Sequence, residues 1–388
     1  MRPSKRLERI PPYLFAELER KVAAKRAAGV DVISLGIGDP DRPTPALVVE
    51  AMQEAVSEPE THQYPSNRGR DDFREAVSDF YERRFDVRLD RDAEVMPVIG
   101  AKECIFNLNL AFLDEGDVAL AADPGYPVYT GGPLLVGAEP VLMPLLEERG
   151  FVPDLEAIPG DALERARLLF LNYPNNPTGA VAPEGFFDRV VHFARDHDLL
   201  VVHDNAYSEI TFDGYRAPSF LSIPGAKEVG VEVFSLSKGY NMTGWRAGAI
   251  VGNPDAIAAY WRLKSNVDSG LFEAVQLAAI TALSPDGDAE AAEMCSVYER
   301  RRDAVVAALR EAGVQVTPPK ATIYVWAPIP DGYDSSAAYC EHVLEETGVV
   351  VSPGGAYGPS GEGFFRISLT TPDRRLMEAV QRLSTLRA

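Results

Sequence analysis

The sequence predicts an α/β protein, with a large domain on a mostly parallel seven-stranded sheet and a smaller α+β domain. Three observations predict it. From about residue 94 to 252, seven short and near-continuous apolar runs alternate with helical segments. Strands that are apolar on both faces suit a parallel sheet covered on both sides. Long helical segments follow at about 254–283 and 288–312, and the tail then returns to strand patterns. The length, 388 residues, suffices for two modest domains.

The elements follow in chain order. Residues 13–29 (YLFAELERKVAAKRAAG) have helical periodicity and stop at Gly29. VISLGIG (32–38) reads as a strand entering a glycine turn. DPDRPTP breaks the pattern, and ALVVEAMQEAV resumes as a helix just after Pro45. DDFREAVSDFYERRF is an amphipathic helix. The sheet runs are EVMPVIG, DVALAA, EPVLMPL, RLLFLN, LLVVHD, VEVFSL and AGAIVG. The tail gives TIYVWAPI, GVVVSPG and FFRISLT as strands and PDRRLMEAVQRLSTLR as a last helix. These patterns place the large domain at 46–282. The small one comprises 283–388 and 1–45, which includes an N-terminal arm.

Composition narrows the function. The chain is 46% hydrophobic and 25% charged, ordinary for a soluble globular protein. Its formal net charge of −20 argues against a nucleic-acid groove or an anionic membrane surface as partner. Local arginines can still bind a small anion. Cys104, Cys295 and Cys340 are far apart and odd in number, so neither a disulfide framework nor a CxxC metal pattern is readable. The N-terminus lacks an apolar signal region, and no stretch reaches the ~20 apolar residues of a membrane span. A cytoplasmic location is therefore expected. His192 and His197 do not share a helix face and His203 is on a strand, so no metal site is expected.

The unusual polar residues each come directly after an apolar run. They are Tyr126 after DVALAA, Asn176 after RLLFLN, Asp204 and Tyr207 after LLVVH, and Ser237 and Lys238 after VEVFSL, with Arg246 eight residues beyond Lys238. EVMPVIG leads into Ala101 and Lys102 at the start of a helix. In an open α/β sheet, ligands bind outside the carboxyl ends of the strands. The inventory suits a flat, heteroaromatic cofactor carrying a phosphate. The helix opening at Gly100 offers free N–H groups to a phosphate, and Arg246 offers a bidentate fork. Ser235 and Ser237 suit phosphate donation or capping of the next turn. Asp204, at a buried strand end, calls for a positive partner such as a protonated ring nitrogen. Tyr207 and Asn176 suit a ring oxygen, Tyr126 suits the ring face, and Lys238 suits a Schiff base.

Two other motifs fail on their surroundings. Ser235-x-x-Lys238 spells a serine-hydrolase signature, but the companion SDN and KTG motifs are absent. Gly36-x-Gly38 lacks the third glycine of a dinucleotide loop.

NYPNNPTG, HDNAYSEI and SLSKGYNMTGWRAG, in that order and spacing, resemble the fold-type I pyridoxal-phosphate (PLP) aminotransferases. More narrowly, IPPYLFAEL, LGIGDPDRPTP, IGAKECI, DPGYPVY and LKSNVDSG resemble the bacterial LL-diaminopimelate aminotransferase branch of class I/II. The resemblance spans nearly the whole chain. It implies ping-pong Schiff-base transfer of an amino group between an L-amino acid and a 2-oxo acid, with pyridoxal 5'-phosphate as cofactor. It implies that Lys238 binds the cofactor covalently, Asp204 pairs with its ring nitrogen, Asn176 and Tyr207 contact its ring oxygen, and Tyr126 stacks on it. Ala101, Lys102, Ser235, Ser237 and Arg246 surround the phosphate. Tyr64 reaches it from the second subunit of a homodimer. Arg366 holds the substrate α-carboxylate, with Gly38 and Asn176 nearby.

The narrow resemblance implies LL-diaminopimelate and 2-oxoglutarate. Plant-type members carry a glutamate a few residues beyond the tyrosine matching Tyr64, whereas Tyr64-Pro-Ser-Asn67-Arg68-Gly69 has no acid. Dicarboxylate-specific relatives place an arginine in the loop matching Leu263 to Asn266, and Lys264 stands in that neighbourhood, so Lys264 and Asn67 are the candidate readers of a distal carboxylate. Alanine, aspartate, aromatic or specialised amino donors, and a PLP-dependent lyase of the same fold, stay open on these residues.

Overall fold

The seven apolar runs do form one sheet. The computed structural model describes residues 1–10 and 16–386. Its strands are β1 (Ile33–Ser34), β2 (Val95–Val98), β3 (Val118–Asp123), β4 (Glu139–Pro144), β5 (Ala166–Leu171), β6 (Leu200–Asn205), β7 (Gly230–Ser235), β8 (Gly248–Gly252), β9 (Tyr324–Pro328), β10 (Val349–Val350), β11 (Ser352–Pro353) and β12 (Phe364–Ser368). The large sheet has the order β2-β8-β7-β6-β5-β3-β4. From β7 to β4 all neighbours are parallel, and β8 alone runs antiparallel to both β2 and β7.

Both faces of this sheet are covered, which is why its strands lack polar alternation. On one face Phe170, Val202, Val231 and Val233 pack against Ile105 and Leu108 of the helix Ala101–Phe112 and Ile257 of the helix Pro254–Lys264. On the other, Leu169, Val201 and Phe234 meet Val190 and Val191 of the helix Phe186–Asp196 and Ala278 of the helix Glu273–Ala282. Each such side chain contributes about 1.5–3 kcal/mol by leaving water. A third core surrounds the antiparallel sheet β11-β12-β9. It includes Val305 and Leu309 of the helix Pro285–Glu311, Val343 of Ser336–Thr347 and Leu376 of Asp373–Leu383.

Four expectations shift in detail. The first helix is described as Ala16–Ala27, and positions 13–15 lie outside the described residues. VISLGIG is strand only at Ile33–Ser34, which pairs with β10. The Gly36 carbonyl beyond it is taken by Ser352 Oγ at 2.9 Å and Arg366 Nη2 at 2.7 Å, so the segment turns instead of continuing a ladder. GVVVSPG likewise splits into β10 and β11, which serve different sheets. The helix expected over 254–283 is two helices, Pro254–Lys264 and Glu273–Ala282. Gly270 breaks it, with φ of +91° and its N–H held by Asp268 Oδ1 at 2.7 Å. Among the described residues no helix is long and apolar enough to cross a membrane. Nor is any group of three or more His, Cys, Asp or Glu among them placed to hold a metal ion.

Arg301 ties the third core to the segment after β1. It binds both oxygens of Asp41 at 2.6 and 3.0 Å, Asp373 at 2.6 Å and the Leu369 carbonyl at 2.9 Å, and it is buried. Replacing it leaves Asp41 largely buried without its countercharge. Arg301→Ala is therefore expected to destabilise the protein by about 3 kcal/mol, read as a lower urea midpoint. Arg301→Lys, which keeps the charge but not the fork, falls between.

Candidate active site

Side-chain parity on β6 divides two buried carboxylate systems. Residues 201, 203 and 205 face one side of the sheet, and 202 and 204 the other. His203 lies opposite Glu232 on β7, and the two are bonded at 2.7 Å with no solvent exposure. Glu232 also accepts from Ser219 Oγ and the Phe220 N–H, both at 2.7 Å. That system is closed. Asp204, one residue on, points to the opposite face, at the carboxyl end of the strand.

There it joins a cavity of about 1050 Å³. Gly38, Ala101, Lys102, Tyr126, Asn176, Asp204, Tyr207, Ser235, Ser237, Lys238, Arg246 and Arg366 all line it. Of the residues expected around the cofactor, Tyr64 does not; it is 86% exposed on this chain.

Asp204 is 6% exposed and only half satisfied. Its Oδ2 accepts from the Tyr129 hydroxyl at 2.7 Å, while Oδ1 has no partner. Burial pushes its pKa up to about 6, against the opposing pull of the Tyr129 hydrogen bond. Burial and the charge of Asp204 push the Tyr129 phenol well above its ordinary range, so it remains a donor. A buried carboxylate oxygen with no partner is costly. The geometry suits a cationic N–H delivered by a ligand.

One end of the cavity is formed by the helix Ala101–Phe112, whose N-terminus has no side-chain cap. The Arg246 guanidinium crosses close to Gly100. A Cβ at 100 would lie 2.0 Å from Arg246 Nη2, and Gly100 has φ of +78°. Glycine is therefore required for arginine and helix end to meet. Arg246 itself has a left-handed backbone and donates to the Thr243 carbonyl at 2.9 Å. Ser235 Oγ accepts from the Ser237 N–H at 3.2 Å, so it caps the turn and still faces the cavity with its hydroxyl hydrogen uncommitted.

Lys238 Nζ donates to the Gly38 carbonyl at 2.5 Å. Arg366, on β12, donates to Asn176 Oδ1 at 2.9 Å, which leaves Nδ2 as the donor end of that amide. Its guanidinium lies 3.9 Å from the Tyr324 ring centre and 4.7 Å from that of Tyr357. No carboxylate of the described residues pairs with it, so its charge is available to an anion.

The expectation for Lys264 is overturned. It is fully buried, outside the cavity, and bound to Asp268 at 2.6 Å and Glu103 at 3.2 Å. Two carboxylates saturate it. Asn67 also lies outside the cavity lining. Conversely, Tyr129, Tyr324 and Tyr357 were not singled out in the sequence. Tyr129 follows Tyr126 by three residues and stacks on Phe170 at 5.5 Å. Tyr324 sits in a strand pattern, and its link to Arg366 depends on the β9–β12 register, which pairs it with Ser368. That makes Tyr324 and Arg366 diagonal neighbours on one face.

Residues 30–383 match the family described as Aminotransferase class I and II. An LL-diaminopimelate aminotransferase of Desulforudis audaxviator is 56% identical over 380 residues, 98% of this chain and 96% of that one. One from Moorella thermoacetica is 54% identical over 384 residues, 99% and 98% of the two chains. A substrate-bound structure of BacF from Bacillus subtilis superposes with a TM-score of 0.95 at 38% identity, covering 100% of this chain and 98% of that one.

Asp204 gives a pH-dependent prediction for the ligand-free protein. Its folded pKa lies above the unfolded value, so the folded state holds the extra proton at acidic pH and loses stability as pH rises through about 6. Asp204→Asn is expected to stabilise the ligand-free protein at pH 8 by up to about 3 kcal/mol, with the gain shrinking toward pH 4. Thermal unfolding against pH reads this out. A gain that is the same at all pH values would contradict it.

Proposed function

The chain belongs to the class I and II aminotransferases, and on that premise we propose that it transfers an amino group between LL-diaminopimelate and 2-oxoglutarate, with pyridoxal 5'-phosphate as cofactor. The observation that carries the cofactor reading is the unpartnered Oδ1 of buried Asp204, on the strand beside the one that leads into Lys238. The residues present fit this group. Asp204 would face its ring nitrogen, and Tyr207 and Asn176 Nδ2 its ring oxygen. Tyr126 would lie on the ring. Arg246, Ser235, Ser237 and the N–H groups of Ala101 and Lys102 would take the phosphate. Bound there, it supplies an aldehyde that condenses with amines and a ring that accepts electrons from the Cα–H bond.

The protein supplies position and proton movement. Arg366 holds the α-carboxylate, and Gly38 stands beside it. The Lys238 amine, steered by the Gly38 carbonyl, takes the proton from substrate Cα. Tyr129 keeps the Asp204 carboxylate in one orientation.

The amino donor is supported by the relatives named above, whose identity extends over nearly the whole chain. A homodimer with shared sites is supported by Tyr64, which has no role within its own chain's cavity. We likewise propose 46–282 as the cofactor-binding domain and 1–45 with 283–388 as the small one, in keeping with the separate core around β9, β11 and β12. The cytoplasm is the proposed location.

Half-reactions test the substrate. LL-diaminopimelate and glutamate are expected to bleach the visible band of the holoenzyme, whereas alanine, aspartate and phenylalanine leave it. Pyruvate or ammonia released without an oxo-acid acceptor would instead indicate a lyase. Lys238→Ala is expected to lose both turnover and the visible band, and retention of both would refute the assignment.

The dimer has its own test. Lys238→Ala and Tyr64→Ala chains are each expected to be impaired. Mixed and reannealed, they should regain activity through one intact site per heterodimer, and no recovery would count against sharing.

A further inference from the structure

Resting on the reading of Arg366 as the carboxylate-binding group, we propose that Tyr324 is its positioning residue, with the phenol ring fixing the plane of the guanidinium. A buried arginine has many rotamers, and its charge must be held without being neutralised. A carboxylate partner would hold Arg366 and consume its charge, as happens to Lys264. An aromatic face attracts the cation through its quadrupole and leaves the N–H fork free for an anion. Tyr324 does this at 3.9 Å, with Tyr357 behind at 4.7 Å.

The ring is itself locked. Tyr324 is 3% exposed and its ring meets that of Tyr207 edge-on at 5.8 Å. Its hydroxyl accepts from the Tyr207 hydroxyl at 3.4 Å. On another side the Gly38 backbone presses against it, since a Cβ at 38 would lie 2.0 Å from the Tyr324 oxygen. Gly38 is the residue whose carbonyl receives Lys238. One side chain therefore connects the carboxylate site to the reacting lysine. Burial alone would raise the Tyr324 phenol, but the positive Arg366 and Lys238 outweigh it and hold it below the ordinary range. Burial pushes Tyr207 well above that range, in keeping with Tyr207 as donor of the shared bond.

Binding of succinate, a non-reacting carboxylate, to the holoenzyme separates positioning from general damage. Tyr324→Leu removes the π face and is expected to weaken succinate by about 5- to 30-fold. KM should rise for amino acid and oxo acid alike, with kcat less affected. Tyr324→Phe keeps the ring and is expected to bind succinate close to the parent level. A folded Tyr324→Leu that binds like the parent, or a Tyr324→Phe as weak as Tyr324→Leu, would overturn the proposal. Thermal unfolding confirms folding, and Tyr324→Met replaces the leucine variant if that one fails to fold. Arg366→Leu separates the two layers. Weakened succinate there with parental binding in Tyr324→Leu sinks only the role of Tyr324. Parental binding in Arg366→Leu sinks the carboxylate reading itself.

Discussion

A carboxylate buried at the end of a central strand, with one oxygen left unpartnered, is the constraint around which this protein is arranged. Asp204 sits where five parallel strands and their covering helices exclude water, so its charge is costly alone. Tyr129 satisfies one oxygen and no more. The neighbouring His203 gives the other oxygen no hydrogen bond, because strand parity sends its ring through the sheet to Glu232. The site is thus an incomplete electrostatic circuit that a cationic ring nitrogen would close. The stability lost to that incompleteness is borne by the apolar cores on either side of the sheet.

The positive side chains show how availability is controlled by packing. The chain carries a net charge of −20, and many of its arginines and lysines, Arg70, Arg74, Arg301 and Arg302 among them, meet carboxylates. Lys264 is an example, held by two acids and so removed from ligand chemistry. Arg366 is equally buried, yet it is held by a backbone carbonyl, an amide oxygen and two aromatic faces. None of those neutralises it. Arg246 is held by a carbonyl and by the space that Gly100 leaves open. Positive charge is kept available in an acidic protein this way, by holding these two guanidinium groups with neutral partners.

The cavity draws on both halves of the chain. Asp204 and Lys238 come from the large sheet, while Tyr324 and Arg366 come from β9 and β12. Polar contacts fasten the two sides. Asp123, at the end of β3, accepts from the Ser360 hydroxyl at 2.7 Å, and the Gly125 N–H donates to the Tyr357 carbonyl at 2.9 Å. The wall that holds Arg366 is thereby joined to the wall beside Tyr126.

Local pattern alone makes the fold class, the seven strands of the large sheet and the residues at their carboxyl ends legible. Those features are local: continuous apolar runs mark buried strands, and polar residues directly after them mark a ligand edge. The Ser235–Lys238 stretch and Arg246 were legible for the same reason. Tertiary structure decided what depends on register and packing between distant segments. The break at Gly270, the split of GVVVSPG between two sheets and the loss of Lys264 to Glu103 all arise across more than one element. So do the Tyr129–Asp204 bond, 75 residues apart in sequence, and the stacking of Tyr324 on Arg366 across β9 and β12. A residue's chemistry can be read from its type, but whether its charge is spent or available is fixed only by the side chains folded against it.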